Sequence, residues 1–177
     1  MSNIISNITT SQTIGPFSHE AWQWAASATG TTTLQTTAAT VTVHGVIFDG
    51  DGMPVNDAQI EAWLPEGAAY EQQQAIPGFR RVPSGEQGEF ALRISRPARP
   101  TPGEPAAYIT VFARGLVKHQ FTAVFLGDDA GLCDSAILDQ VPAARRATLL
   151  AAAQPDGSYR WDIRLQGDQE TVFFDYQ

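Results

Sequence analysis

Three scarcities set the first limits on this chain. One cysteine in 177 residues, Cys133, excludes an internal disulfide and fits a reducing compartment. No histidine stands near it to activate a thiolate, so it reads as a small packed side chain rather than a nucleophile. Histidine is scarce too. His19, His44 and His119 are far apart and in no i, i+2 or i, i+4 pairing, so no self-contained metal site is expected. Basic charge is the third shortage: 11 Lys and Arg against 19 Asp and Glu give a formal net charge of −8. That leaves no cationic footprint for a phosphate backbone and argues against nucleic acid as partner. It would also mildly repel an anionic substrate unless a specific arginine offset it. No apolar run approaches the roughly 18 residues that a membrane-spanning helix needs. The opening Met1-Ser2-Asn3-Ile4-Ile5 lacks the positive start of a signal peptide, which points to the cytoplasm.

What is present is an ordinary globular balance, 43% hydrophobic, with 15 Gly and 11 Pro to make turns. Residues 1–40 are polar and Thr-rich, with Trp22 and Trp24 supplying most of the bulk. They read as an N-terminal arm that must lie against something to be ordered. Residues 41–177 read as one domain. Val41 to Phe48, Gln59 to Leu64, Glu89 to Ile94, Tyr108 to Ala113 and Gln120 to Leu126 carry the short apolar runs and alternation of strands. The proline-rich run Arg96 to Pro105 cannot be a central strand and is expected to be a surface loop. Pro142 to Ala153, rich in Ala, Leu and Arg, predicts a helix with Pro at its first position. Two closing strands are expected over Tyr159 to Leu165 and Thr171 to Tyr176. About seven strands and one short helix predict an all-β fold, a β-sandwich.

Individual residues offer little self-contained chemistry. Asp49, Asp51, Asp57, Asp128, Asp129 and Asp134 fall in loops, where a solvated, turn-forming role is expected. Asp128-Asp129 is also readable as a weak cation site. Tyr70 and Tyr108 could ligate ferric iron as phenolates, but two tyrosines do not close a site. There is no Gly-rich phosphate loop and no nucleophile elbow. Arg145-Arg146 suggests ion pairs at the helix start. Arg114, in Phe112-Ala113-Arg114-Gly115 at a strand end, has two readings: a structural fork to carboxylates or carbonyls, or a cation poised over a pocket.

Several strings in order give a more specific resemblance. They are Ser11-Gln12-Thr13-Ile14-Gly15-Pro16-Phe17, Gly45-Val46-Ile47-Phe48-Asp49-Gly50-Asp51-Gly52, Val111-Phe112-Ala113-Arg114-Gly115-Leu116, Arg145-Arg146-Ala147-Thr148-Leu149, and the ending from Tyr159 to Asp175. Together they resemble the α chains of the intradiol ring-cleavage dioxygenase family, on its protocatechuate-cleaving branch. The resemblance implies a β-sandwich of the intradiol dioxygenase type paired with a homologous β subunit in a higher αβ oligomer. The β subunit would hold Fe(III) through two Tyr and two His. With O2 the assembly would open protocatechuate between its hydroxylated carbons to 3-carboxy-cis,cis-muconate, the metal activating the substrate rather than water.

At the two ligand-histidine positions this chain has Ala106 and Tyr108, and near one ligand-tyrosine position only an offset Tyr70. The resemblance therefore implies an iron-free partner with no catalytic or metal-binding residue of its own. By motif, Thr13, Gly15, Pro16 and Arg114 would line a shared substrate pocket, Arg114 facing the ring carboxylate. Ala123 stands where the family's α chains usually carry Arg, and Ala106 where many keep His, so the pocket wall differs and a related hydroxylated aromatic acid is an alternative substrate. Two other readings are a stand-alone transthyretin-like sandwich that binds without catalysis, and a lone iron-binding dioxygenase. Phe112 to Gly115 and the Gln166 to Asp175 ending disfavour the first; the empty histidine positions disfavour the second.

Overall fold

A computed structural model describes residues 34–97 and 100–175. The first long alternating segment forms β1 (Ala39–Phe48), which turns Val43 and Ile47 fully into the core. It pairs antiparallel with β4 (Glu89–Arg96), from Ala39 opposite Arg96 to Val46 opposite Glu89. Its other side carries two short parallel strands, β8 (Tyr159–Arg160) and β9 (Ile163–Arg164). Between these the Asp162 carboxylate accepts the Val46 N–H at 2.9 Å, filling the interrupted ladder with a side chain. The backbones meet so closely here that a Cβ on Gly45 would lie 1.8 Å from the Trp161 carbonyl oxygen.

The second layer is built from β2 (Gln59–Trp63), β3 (Phe79–Pro83), β5 (Ala107–Phe112) and β6 (Gln120–Leu126), all antiparallel to their neighbours. A two-residue parallel contact from β6 to β7 (Leu150–Ala153) joins the layers. The resulting nine-stranded sheet runs β3-β2-β5-β6-β7-β8-β1-β4, with β9 on β1. It folds over on itself around Val43, Leu92, Ile60, Ile109 and Trp161, a nearly closed sandwich. A smaller apolar cluster outside β6 includes Phe125, Leu138, Val141 and Leu149.

Two expectations are corrected and one element is new. The predicted helix Pro142 to Ala153 is a single turn, α3 (Ala143–Arg146), followed by a 3-10 turn and then β7. The propensity of Leu150–Ala153 yields to the closure of the sheet, which buries Ala151 completely. The expected strand over Thr171 to Tyr176 is reduced, within its described residues, to one bridge from Phe174 to Phe121. Strand β3 was not visible in the sequence pattern. Two further one-turn helices, α1 (Gly67–Tyr70) and α2 (Ala136–Gln140), sit in connections. Ser135 caps α2 by accepting the Leu138 N–H.

The sheet's two terminal strands are tied by a buried ion pair. Glu71 and Arg80, both without solvent exposure, meet at 2.5 and 2.8 Å. Arg80 also donates to the carbonyls of Phe79 and of Arg93 in β4. Glu71 accepts from the Gly78 N–H and the Ser95 hydroxyl. Every polar atom of the pair thereby has a partner, the condition under which two buried charges are tolerable.

Candidate functional site

Of the sequence-derived site residues, Thr13, Gly15 and Pro16 lie outside the described residues, as does most of the expected arm. Arg114 is described. It follows β5, whose inner face buries Val111 and whose outer face carries the half-buried Phe112. Phe112 pairs with Gln59. The ladder ends there, and Arg114 and Asp57 lie two residues beyond it, each in a turn. Arg114 Nε lies 2.9 Å from Asp57 Oδ2, with the guanidinium side chain 64% exposed and the carboxylate 10% exposed. Asp57 Oδ2 nevertheless receives no aligned hydrogen bond. The distance and the missing alignment are compatible: the contact is one of charge, with the N–H pointing off the oxygen. We treat it as an ion pair of modest worth, since most of the guanidinium is in water.

Asp57 was expected as a solvated turn residue and is instead buried. Its base is rigid. The Ala58 N–H donates to Ser84 Oγ and the Ala58 carbonyl accepts the Ser84 N–H, both at 2.9 Å. Gln59 is buried as well, and its Oε1 has no donor among the described residues. The outer face continues through His119, which packs between the Phe112 and Phe121 rings. Trp63, half exposed, leans on Phe79 at 4.5 Å.

The other candidates are engaged differently. Ala106 lines a cavity of about 40 Å3, with Arg96, Thr101 and Glu104 among its walls. That volume admits water but no aromatic ring. Tyr108 Oη donates to Glu104 at 3.3 Å. Among the described residues no three His, Cys, Asp or Glu side chains converge as a metal-binding group. The described residues therefore offer no donor set that fits iron. His44 Nε2 lies 3.2 Å from Ser158 Oγ, but the serine proton is donated to Asp156 at 2.6 Å. A serine whose proton points to a carboxylate is not poised to give it to the histidine. That hydroxyl, with the Ser158 N–H, holds the Asp156 carboxyl below its ordinary range.

The pair Asp128-Asp129, read as turn aspartates with a weak cation site as the alternative, serves protein donors. Asp128 takes the Tyr159 hydroxyl at 3.0 Å, and Asp129 accepts the Gly131 N–H to cap a 3-10 turn. Burial, then that hydrogen bond to Asp128, pushes the Tyr159 phenol up, so it stays protonated. Cys133 is exposed on the same turn rather than packed. Arg145 and Arg146 chiefly serve backbone carbonyls, of Glu170 and Val141, with a 3.7 Å contact from Arg146 to Asp139. Among the described residues no helix is long and apolar enough to cross a membrane.

No protein-family model matches the chain. Curated relatives do. The chain is 39% identical over 150 residues, 76% of each chain, to the protocatechuate 3,4-dioxygenase alpha chain of Burkholderia cepacia. It is 32% identical over 148 residues, 75% of this chain and 74% of the other, to that of Pseudomonas putida. Among solved structures it resembles the dioxygenase domain of a carbohydrate-binding fusion protein from Streptomyces sp. SirexAA-E. That match has a TM-score of 0.56 at 19% identity and covers 76% of this chain and 82% of the other. The sandwich is thus of the intradiol dioxygenase type, as the sequence led us to expect.

Proposed function

The chain belongs to the protocatechuate 3,4-dioxygenase alpha-chain family, and from that premise we propose that it is the iron-free half of a heteromeric ring-cleaving dioxygenase. Its partner is a homologous β subunit that carries Fe(III). The pair, assembled further into a higher oligomer, cleaves protocatechuate with O2 between the hydroxylated carbons, yielding 3-carboxy-cis,cis-muconate. The observation that carries this reading is the 39% identity spread over three quarters of the chain. The absence of a fitting donor set at Ala106 and Tyr108 is consistent with a metal held elsewhere in the assembly. A lone cysteine favours the cytoplasm.

In this reading residues 1–40 lie against the partner, and Thr13, Gly15 and Pro16 face the shared pocket. Gly15 would permit close backbone approach and Pro16 a rigid wall. Arg114 supplies the cation that the −8 chain otherwise lacks for an acid substrate. Its exposure supports this role, because a guanidinium already enclosed by its own chain could not reach a ligand outside it.

The test is to produce the chain alone and together with its iron-binding partner, and to assay each for bound iron and for oxygen uptake with protocatechuate. We expect the single chain to be iron-free and inert and the pair to be ferric and active. Stoichiometric iron and turnover in the single chain would overturn the reading.

A further inference from the structure

We infer that Asp57 is the positioning residue of Arg114, holding the Nε edge of the guanidinium so that its two Nη groups are presented outward to the substrate's carboxylate. The inference rests on the role proposed above for Arg114 and adds the residue that makes that role geometrically defined.

An exposed arginine samples many rotamers, and a ligand that must freeze one of them loses affinity in doing so. Arg114 has such exposure, yet its guanidinium is restrained by charge at one point: Nε sits 2.9 Å from Asp57 Oδ2. The carboxylate stands on a well-packed base. Asp57 is buried, and the following residue is fixed by two hydrogen bonds to Ser84. Both residues sit in turns just beyond the Gln59–Phe112 end of the β2–β5 ladder, so the strands bring the two turns close and the observed ion contact joins them. Neither Nη group of Arg114 has a partner among the described residues. The planar end of the fork, suited to bidentate recognition of a carboxylate, is therefore left open.

Two effects of Asp57 oppose each other. Its charge weakens the potential that Arg114 offers an anion, while its position narrows where the guanidinium can point. If charge compensation dominated, removing the carboxylate would tighten substrate binding. If positioning dominates, removal loosens it. The rigid base of Asp57 and the exposure of Arg114 favour positioning, since screening by water already dulls the charge effect.

The experiment uses the complete assembly with Asp57→Ala, Asp57→Asn, Arg114→Ala and the double variant Asp57→Ala/Arg114→Ala, with KM and kcat measured on protocatechuate. We expect Asp57→Ala to raise KM roughly two- to fivefold, the span of one exposed ion pair, with kcat nearly unchanged. Asp57→Asn, which keeps an acceptor of the same shape, should recover part of that loss. In the Arg114→Ala background, Asp57→Ala should change KM no further. An unchanged or lowered KM for Asp57→Ala, or an equal effect with Arg114 absent, would overturn the positioning role while leaving the Arg114 reading intact. No change in KM for Arg114→Ala would instead remove the reading on which the inference stands.

Discussion

Glu71 is a carboxylate without solvent exposure, and its protonation is where the stability of this fold meets pH. Burial alone would raise its pKa. The hydrogen bonds from Arg80, Ser95 and the Gly78 N–H, with the Arg80 charge, outweigh burial and hold it below the ordinary range. A depressed folded-state value means the stabilisation is complete above the unfolded value of about 4.3 and is lost as pH falls through the folded one. Thermal melts should therefore vary little on this account from pH 7 to 5 and drop on further acidification. Arg80→Met should cost about 3–5 kcal/mol at neutral pH by stranding the carboxylate. It should also invert the trend: with the counter-charge gone, burial raises the Glu71 pKa, and mild acidification returns part of the lost stability. An Arg80→Met variant whose melting temperature stays flat or falls between pH 7 and 5, instead of rising, would contradict this assignment.

At the level of elements, β1 depends on a glycine for a reason unrelated to turns. Gly45 must lie under the Trp161 carbonyl, and a methyl group there would overlap it at 1.8 Å. We expect Gly45→Ala to destabilise the chain by about 3 kcal/mol or to prevent folding, read by urea denaturation. By contrast Gly157, with open space where a Cβ would stand but φ of +83°, should lose far less on the same change.

The strands that alternate cleanly, β1, β2, β4, β5 and β6, were legible because their apolar side chains report directly which face is buried. β3 was hidden by Arg80, a charge that looks solvent-facing in sequence but is buried through a partner nine residues away. β7 was hidden by helix-favouring residues whose strand conformation is imposed by β6 and β8. The candidate site was legible only in part. The string around Arg114 identified it, but Asp57 resembled any turn aspartate, and its contact with Arg114 depends on how two turns meet beyond the β2–β5 ladder, which no local pattern encodes.

For the molecule as a whole, stability is unevenly distributed. The β1–β4 pair spans eight registered residue pairs, whereas β6–β7, which joins the two layers, spans two. Native-state hydrogen exchange should find the amides of Val43, Leu92 and Ile94 opening only with global unfolding, and the Gly127 amide, bonded to the Ala151 carbonyl, opening at lower free energy. Equal protection at both places would mean that the junction is reinforced by something other than its ladder.

The path of the sheet ends at β3 and β4, and those ends are neighbours bridged by Arg80, Glu71 and Ser95 rather than by a backbone ladder. A strand border with unsatisfied amides is a template on which a second polypeptide can add, the first step toward fibrils. Here the Arg80 side chain of β3 donates to the Arg93 carbonyl on the β4 border, and Glu71, from the connection before β3, accepts from the Gly78 N–H and the Ser95 hydroxyl. The buried ion pair thus does more than hold a loop in place: it limits the opportunity for foreign strands to polymerise onto this fold.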